Sequence, residues 1–179
     1  MSELRTNRII PRDGLVSGAF GGVIQTVFAE NNTAQSYSTG NTGAGVSIIS
    51  ATITPTRSDS RVLIMGHTHA SKDGNTDNTQ EWSLQISRGG TLVGGNTNST
   101  YFPDTNVIAS SMNGRENGQH ASWHHIDNPS TTSAVAYEIL FSCGEGGSYA
   151  INRPYGTSNA GYNFKNTGGT VLILMEISG

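Results

Sequence analysis

The chain has 179 residues, a formal net charge of −3 and 13% charged side chains, about half of the roughly 25% found in typical globular domains. This weak negative charge argues against a nucleic-acid partner, and no apolar run approaches the roughly 20 residues of a membrane helix, which argues against membrane insertion. A single cysteine, Cys143, excludes an intrachain disulfide framework and a cysteine-cluster metal site.

The first 21 residues differ in pattern from the rest of the chain. They show no helical or strand period, Pro11 limits both kinds of element, and the apolar centre of a secretory signal is missing. We expect residues 1–21 to form an extended arm that attaches the protein to another component, with a frayed terminus as the alternative. The expected contacts of this arm are Leu4, Arg5, Arg8, Ile9, Ile10 and Arg12.

From residue 22 to residue 179, clusters of β-branched and aromatic residues alternate with polar, glycine-rich stretches, a pattern typical of short strands joined by turns. The predicted strands cover residues 23–28, 46–54, 61–70, 81–88, 91–93, 106–110, 121–127, 133–143, 149–152 and 170–178. Ile48 and Ile49 break the alternation of the second strand, which indicates a β-bulge. We therefore expect an all-β domain over residues 22–179, an antiparallel β-sandwich of the jelly-roll type that follows the extended N-terminal arm.

Two strands support more specific predictions. Residues 81–88 alternate between apolar and polar side chains, which predicts one buried and one solvated face. The last strand is apolar on both faces, and such an antiparallel strand needs a second cover. We expect a neighbouring subunit to supply it, with loops of the same chain as the alternative. The predicted subunit-interface residues are Val171, Leu172, Ile173 and Leu174.

Several short motifs, in order along nearly the whole chain, resemble those of short virion surface proteins and tail-fibre-like modules of tailed bacteriophages, of the cyanophage and marine-phage type. They lie at residues 4–14, 21–25, 54–55, 60–64, 149–153 and 174–177. The resemblance implies a homotrimeric β-sandwich on the surface of a virion, made in the host cytoplasm and bound to other proteins of the tail or capsid. Long fibres of this kind carry shaft repeats before such a tip, and this chain has only its short arm.

The resemblance leaves two structural functions open. The first is a non-enzymatic short tail fibre or host-adhesion module, docked on the particle by its arm. The second is a capsid decoration protein, of the cement or head-fibre kind, that clamps capsomers. A glycan-degrading enzyme is disfavoured, because the 13 Asp and Glu residues are scattered singly and no catalytic residues stand out.

The histidines offer one candidate metal site. His67 and His69 are two residues apart in a predicted strand, so both side chains should project from one face. Around a threefold axis, three such pairs would present six nitrogens, a set that suits a transition-metal ion. The alternative is two half-buried histidines that hydrogen-bond to loops. His124 and His125 are adjacent and should point to opposite faces, so they do not form a catalytic pair.

Aromatic side chains beside carboxylates in predicted loops suggest a glycan-binding surface. Aromatic plugs at the end of the sandwich are the alternative interpretation. The candidate glycan contacts are Tyr101, Phe102, Asp104 and Tyr155.

Overall fold

A computed structural model describes residues 22–38, 45–73, 82–93, 118–143, 148–152 and 168–179. These residues form ten β-strands: β1 (Val23–Asn31), β2 (Gln35–Ser38), β3 (Val46–Ile53), β4 (Arg61–Asp73), β5 (Trp82–Arg88), β6 (Thr91–Leu92), β7 (Gly118–Asp127), β8 (Val135–Cys143), β9 (Ser148–Ile151) and β10 (Thr170–Ile177). The predicted arm, residues 1–21, and the predicted strand at residues 106–110 lie outside the described residues.

The strands form two antiparallel sheets. The front sheet contains β1, β2, β4, β7, β9 and β10, and the back sheet has the order β3, β8, β5, β6. In the front sheet, β7 pairs with one side of β4, whereas β10 and then β9 pair with successive parts of its other side. Strand β1 lies outside β10, and β2 lies outside β9. Each sheet thus mixes strands from both halves of the chain, as in a jelly roll, and the predicted antiparallel β-sandwich is confirmed.

The core lies between the two sheets, where every second side chain of each strand points inward. Strand β8 contributes Tyr137, Ile139 and Phe141, and all three are fully buried. The Phe141 ring packs against three other aromatic rings, with centroid distances of 5.7 to 5.8 Å, which adds to the burial energy of this cluster. These rings belong to Tyr37, Trp82 and Tyr149.

Two local predictions have opposite outcomes. The bulge is present, because the pairing of β3 with β8 shifts register between Ser47 and Ile49. The solvated face of β5 is wrong, because Ser83, Gln85 and Ser87 are all buried. Alternation of side chains defines which residues share a face of a strand, but it does not define what covers that face.

The sequence did not predict strand β2. In the structure β2 continues the line of β1 in the sheet, and a buried asparagine lies at the junction between the two strands. Asn152 has a left-handed backbone with φ of 64° and is 1% exposed. Its Nδ2 donates to the carbonyl oxygens of Asn31 at 2.7 Å and Thr33 at 3.1 Å. Its side-chain oxygen accepts from the Thr170 hydroxyl at 2.8 Å, and its backbone N–H donates to the His69 carbonyl at 3.0 Å. Strands β10 and β9 lie one after the other beside β4, and β1 and β2 lie one after the other outside them. Asn152 lies at the junction of these four strands, and its hydrogen bonds connect their ends.

An ion pair fixes one end of the sandwich. Asp127 of β7, in the front sheet, accepts a hydrogen bond from the Tyr137 hydroxyl at 2.7 Å and another from the Arg88 guanidinium at 2.8 Å. Tyr137 and Arg88 belong to β8 and β5 of the back sheet. Burial raises the pKa of the Tyr137 hydroxyl, and its hydrogen bond to Asp127 raises it further. The phenol is therefore a stable donor between the two sheets.

A buried carboxylate stabilises the C-terminal end of β10, where Glu176 lies in the same strand row as Asp127. The Glu176 side chain is fully buried and accepts hydrogen bonds from Gln25 Nε2 at 2.6 Å and from both the backbone N–H and the hydroxyl of Thr56 at 2.8 Å. Burial opposes ionisation, but these hydrogen bonds outweigh it and lower the pKa of Glu176 to about 2. The charge therefore joins β10 to β1 and to the turn after β3.

Candidate interaction surface

The outer face of the front sheet carries a continuous apolar surface that crosses four strands. Residues directly paired in an antiparallel sheet lie on the same face, so the strand register defines the rows of this surface. One row contains Thr26, Met175, Leu63 and Ile126, and the next contains Phe28, Ile173, Met65 and His124. We call the six apolar residues of these rows the outer apolar face: Phe28, Leu63, Met65, Ile126, Ile173 and Met175.

The two margins of the outer apolar face are the most exposed. Phe28 on edge strand β1 is 60% exposed, and Ile126 on edge strand β7 is 49% exposed. Val23 and Ile24, at the start of β1, are also exposed. Four strands about 4.8 Å apart and two rows about 7 Å apart give the eight positions a projected area of roughly 270 Å², of which the six apolar residues cover about 200 Å². Exposed apolar side chains that adjoin one another in this way form a candidate contact surface.

The four residues of β10 that were predicted to form a subunit interface lie on both faces of the strand. Leu172 and Leu174 are fully buried in the core of their own chain, so the prediction that they contact another subunit is wrong. Val171 and Ile173 lie on the outer side of β10 and are half-buried there. The strand is apolar on both sides because one side forms the core and the other forms part of the outer surface. The periodicity of the sequence showed which residues share a side of β10, but it did not show which side faces the core of the same chain.

The structure places both candidate metal ligands on the outer side of β4, next to the outer apolar face. His67 is exposed, whereas His69 is only 2% exposed. His69 pairs directly with His120 of β7, and their ring centroids are 4.7 Å apart with an interplanar angle of 57°. Sequence reasoning missed this partner, which is 51 positions away, because the pairing of β4 with β7 could not be deduced from either strand alone.

Burial disfavours the charged form of the His69 imidazole. Desolvation lowers the pKa of His69, and the nearby His120 lowers it further. The Nδ1 atom of His69 is buried and has no hydrogen-bond partner among the residues that the structure describes. Gly168 packs against both rings, since a Cβ built on it would lie 2.6 Å from His69 Cβ and 3.2 Å from His120 Cε1.

In the part of the chain that the structure describes, no group of three or more His, Cys, Asp or Glu side chains is arranged to hold a metal ion. The same residues contain no helix with the length and hydropathy needed to cross a lipid bilayer.

The other predicted site residues fall outside the described ranges. These are the arm residues Leu4, Arg5, Arg8, Ile9, Ile10 and Arg12 and the candidate glycan contacts Tyr101, Phe102, Asp104 and Tyr155. Their roles stay predictions.

Comparison with known proteins finds no matching family model and no matching curated protein. Among solved structures, a VP2 protein of infectious bursal disease virus in derived T=1 particles is 9% identical with a TM-score of 0.45, covering 86% of this chain and 36% of that one. The chain in the T13 particle of the same virus is 11% identical with a TM-score of 0.43, covering 87% and 38%. The chain thus spans little more than a third of these VP2 chains.

A sugar-binding protein is also similar. The C-terminal domain of EclA is 9% identical with a TM-score of 0.36, and the match covers 96% of this chain and 99% of that one. TM-scores below 0.5 carry no functional conclusion for this chain.

Proposed function

We propose that the chain is a non-enzymatic structural protein on the surface of a bacteriophage virion, a short tail-fibre or host-adhesion module that works as a homotrimer. The outer apolar face is the observation that carries this proposal. Three copies that turn this face toward a common axis would bury Phe28 and Ile126, which water now reaches. The phage-like motifs supply the virion context.

The energy of burial favours self-association through this face. Removing roughly 200 Å² of apolar surface from water favours association by at most about 5 kcal/mol per subunit, before the free-energy cost of bringing the subunits together is subtracted. One pair of such faces buries roughly 400 Å², which is below the roughly 1,200 Å² of a stable protein interface. A dimer through this face alone would therefore be weak, and a closed assembly that adds contacts from other surfaces is favoured.

The arm over residues 1–21 would then attach the trimer to another virion protein. Its apolar side chains would dock in a groove, and its arginines would pair with acidic groups beside that groove. Several sandwiches presented together would increase the avidity for a host-cell glycan, even if each copy bound weakly. A capsid position would use the same trimer to clamp capsomers, as a decoration protein does.

Immunogold labelling of intact phage particles with an antibody against the protein tests this function. We expect labels at the tail, and labels spread over the head would instead indicate the decoration role. Particles that carry no label would contradict the proposal in both forms. Degradation of host polysaccharide by the purified protein would contradict its non-enzymatic part.

A further inference from the structure

His69 and His120 form a close pair of imidazoles across two neighbouring strands. They are directly opposite each other in the pairing of β4 with β7, so both side chains project from the same outer side. Their centroids are 4.7 Å apart, and the rings are tilted rather than stacked. Gly168 closes one side of the pair.

This separation fits two imidazoles that bind one metal ion. A transition-metal ion lies about 2.0 to 2.1 Å from each ligating nitrogen, which puts it about 3.2 Å from each ring centre. At ligand angles of about 90° to 110°, the two ring centres are then about 4.5 to 5.2 Å apart. The observed distance lies inside that interval.

The state of His69 fits the same role. Buried side-chain nitrogens in proteins normally have a hydrogen-bond partner, but His69 Nδ1 has none within the described part of the chain, although the residue is only 2% exposed.

We propose that His69 and His120 of a single chain bind one divalent first-row transition-metal ion, with water completing the coordination. Two protein ligands agree with the absence, among the described residues, of any cluster of three or more. The ion would connect edge strand β7 to β4. His67 is not needed, in contrast to a site shared by His67 and His69 of three chains on a threefold axis.

Titration of the purified full-length protein with Cu²⁺, Ni²⁺ and Zn²⁺, followed by calorimetry and by thermal unfolding, tests this site. We expect one ion per chain, tighter binding of Cu²⁺ than of Ni²⁺ or Zn²⁺, and a higher unfolding temperature with metal. Mg²⁺ prefers oxygen ligands and should have no effect. Binding should weaken as the pH falls, because protons compete for the imidazoles.

Three variants define the ligands. His120→Gln should weaken binding at least tenfold, while His67→Gln and His124→Gln should leave it unchanged. His120 and His124 are both exposed on the outer side of β7, so His124→Gln is a matched control for adventitious surface binding. Metal-free unfolding of His120→Gln shows whether that variant is folded.

Four results would overturn the proposal. The first is no binding by the wild-type protein, and the second is an equal loss in His124→Gln. The third is a loss in His67→Gln with binding retained in His120→Gln. The fourth is a stoichiometry of one ion per three chains, which would assign the site to a threefold axis instead.

Discussion

At the scale of single residues, Asn152 shows how a buried polar side chain can stabilise an irregular part of a sheet. It satisfies two backbone carbonyls and one hydroxyl at the junction of four strands. Its positive φ favours asparagine or glycine, because other side chains meet their own backbone there. The residue lies within one of the phage-like motifs, where its role is structural.

Substitution of Asn152 separates these two contributions. Asn152→Gly keeps the backbone conformation and loses the side-chain hydrogen bonds, so the free energy of unfolding should fall by about 1–3 kcal/mol. Asn152→Ala should lose about 1 kcal/mol more, because alanine is strained at this φ. Urea unfolding measures both values. Equal stability of the two variants would show that backbone strain contributes nothing here.

Glu176 predicts how stability depends on acid. Its pKa in the folded protein is lowered from the ordinary value of 4.5 to about 2. The stability that its charge contributes is therefore fully present above about pH 4.5 and is lost as the pH falls toward 2. Glu176→Gln should be less stable than wild type at neutral pH, and the difference should shrink through this interval.

Thermal unfolding between pH 2 and pH 7 measures this difference. Glu138→Gln is the matched control, because Glu138 is also a strand residue but is only half-buried. A stability difference between Glu176→Gln and wild type that stays constant over the whole range would contradict the role assigned to the charge.

At the scale of strands, Gly66 explains how β4 lies beneath a core tryptophan. A Cβ built on Gly66 would lie 2.8 Å from Trp123 Cζ2 and would also meet the Val171 carbonyl oxygen. Gly66→Ala should therefore lower the free energy of unfolding by about 1–3 kcal/mol or more, the usual range for overpacking. Gly22→Ala should have little effect, since its Cβ would meet only Ser178 Oγ at 3.8 Å.

Urea unfolding of both glycine variants tests this contact. If Gly66→Ala were as stable as Gly22→Ala, then the close approach of Trp123 to β4 would not constrain the core.

The strands themselves were largely predictable from the sequence. Apolar residues at every second position identified β8 and the inner side of β10, because a strand with one core face must repeat with a period of two. Strand β2, with the sequence Gln-Ser-Tyr-Ser, was too short and polar to give that signal. The polar side of β5 carried the normal signature of solvent and is nevertheless buried, because the alternation within a strand does not encode what covers each of its faces.

The candidate site was predictable in part for the same reason. The apolar outer side of β10 was visible in the sequence, but the surface becomes continuous only when β1, β4 and β7 take their places beside it. Phe28 of β1 and His120 of β7 belong to strands that are far from β10 in the sequence. Their contribution depends on register, which the sequence of one strand does not contain.

At the scale of the whole molecule, polar side chains help to join the two sheets, whereas the outer apolar face takes no part in joining them. Asp127 joins the front sheet to the back sheet through Tyr137 and Arg88, so the sandwich is fixed at that end without using the outer apolar face. The outer apolar face, left outside the core, is the surface through which we propose that the subunits associate.

The mass of the full-length protein in solution, measured by sedimentation equilibrium, tests the central claim most directly. We predict a trimer for the wild type and a monomer for Phe28→Asp, because a carboxylate in the outer apolar face would have to be buried without a partner. Thr52→Asp is the matched control, at an exposed strand position of the back sheet, and should remain a trimer. A wild-type monomer, or a Phe28→Asp variant that is folded and still trimeric, would contradict the account.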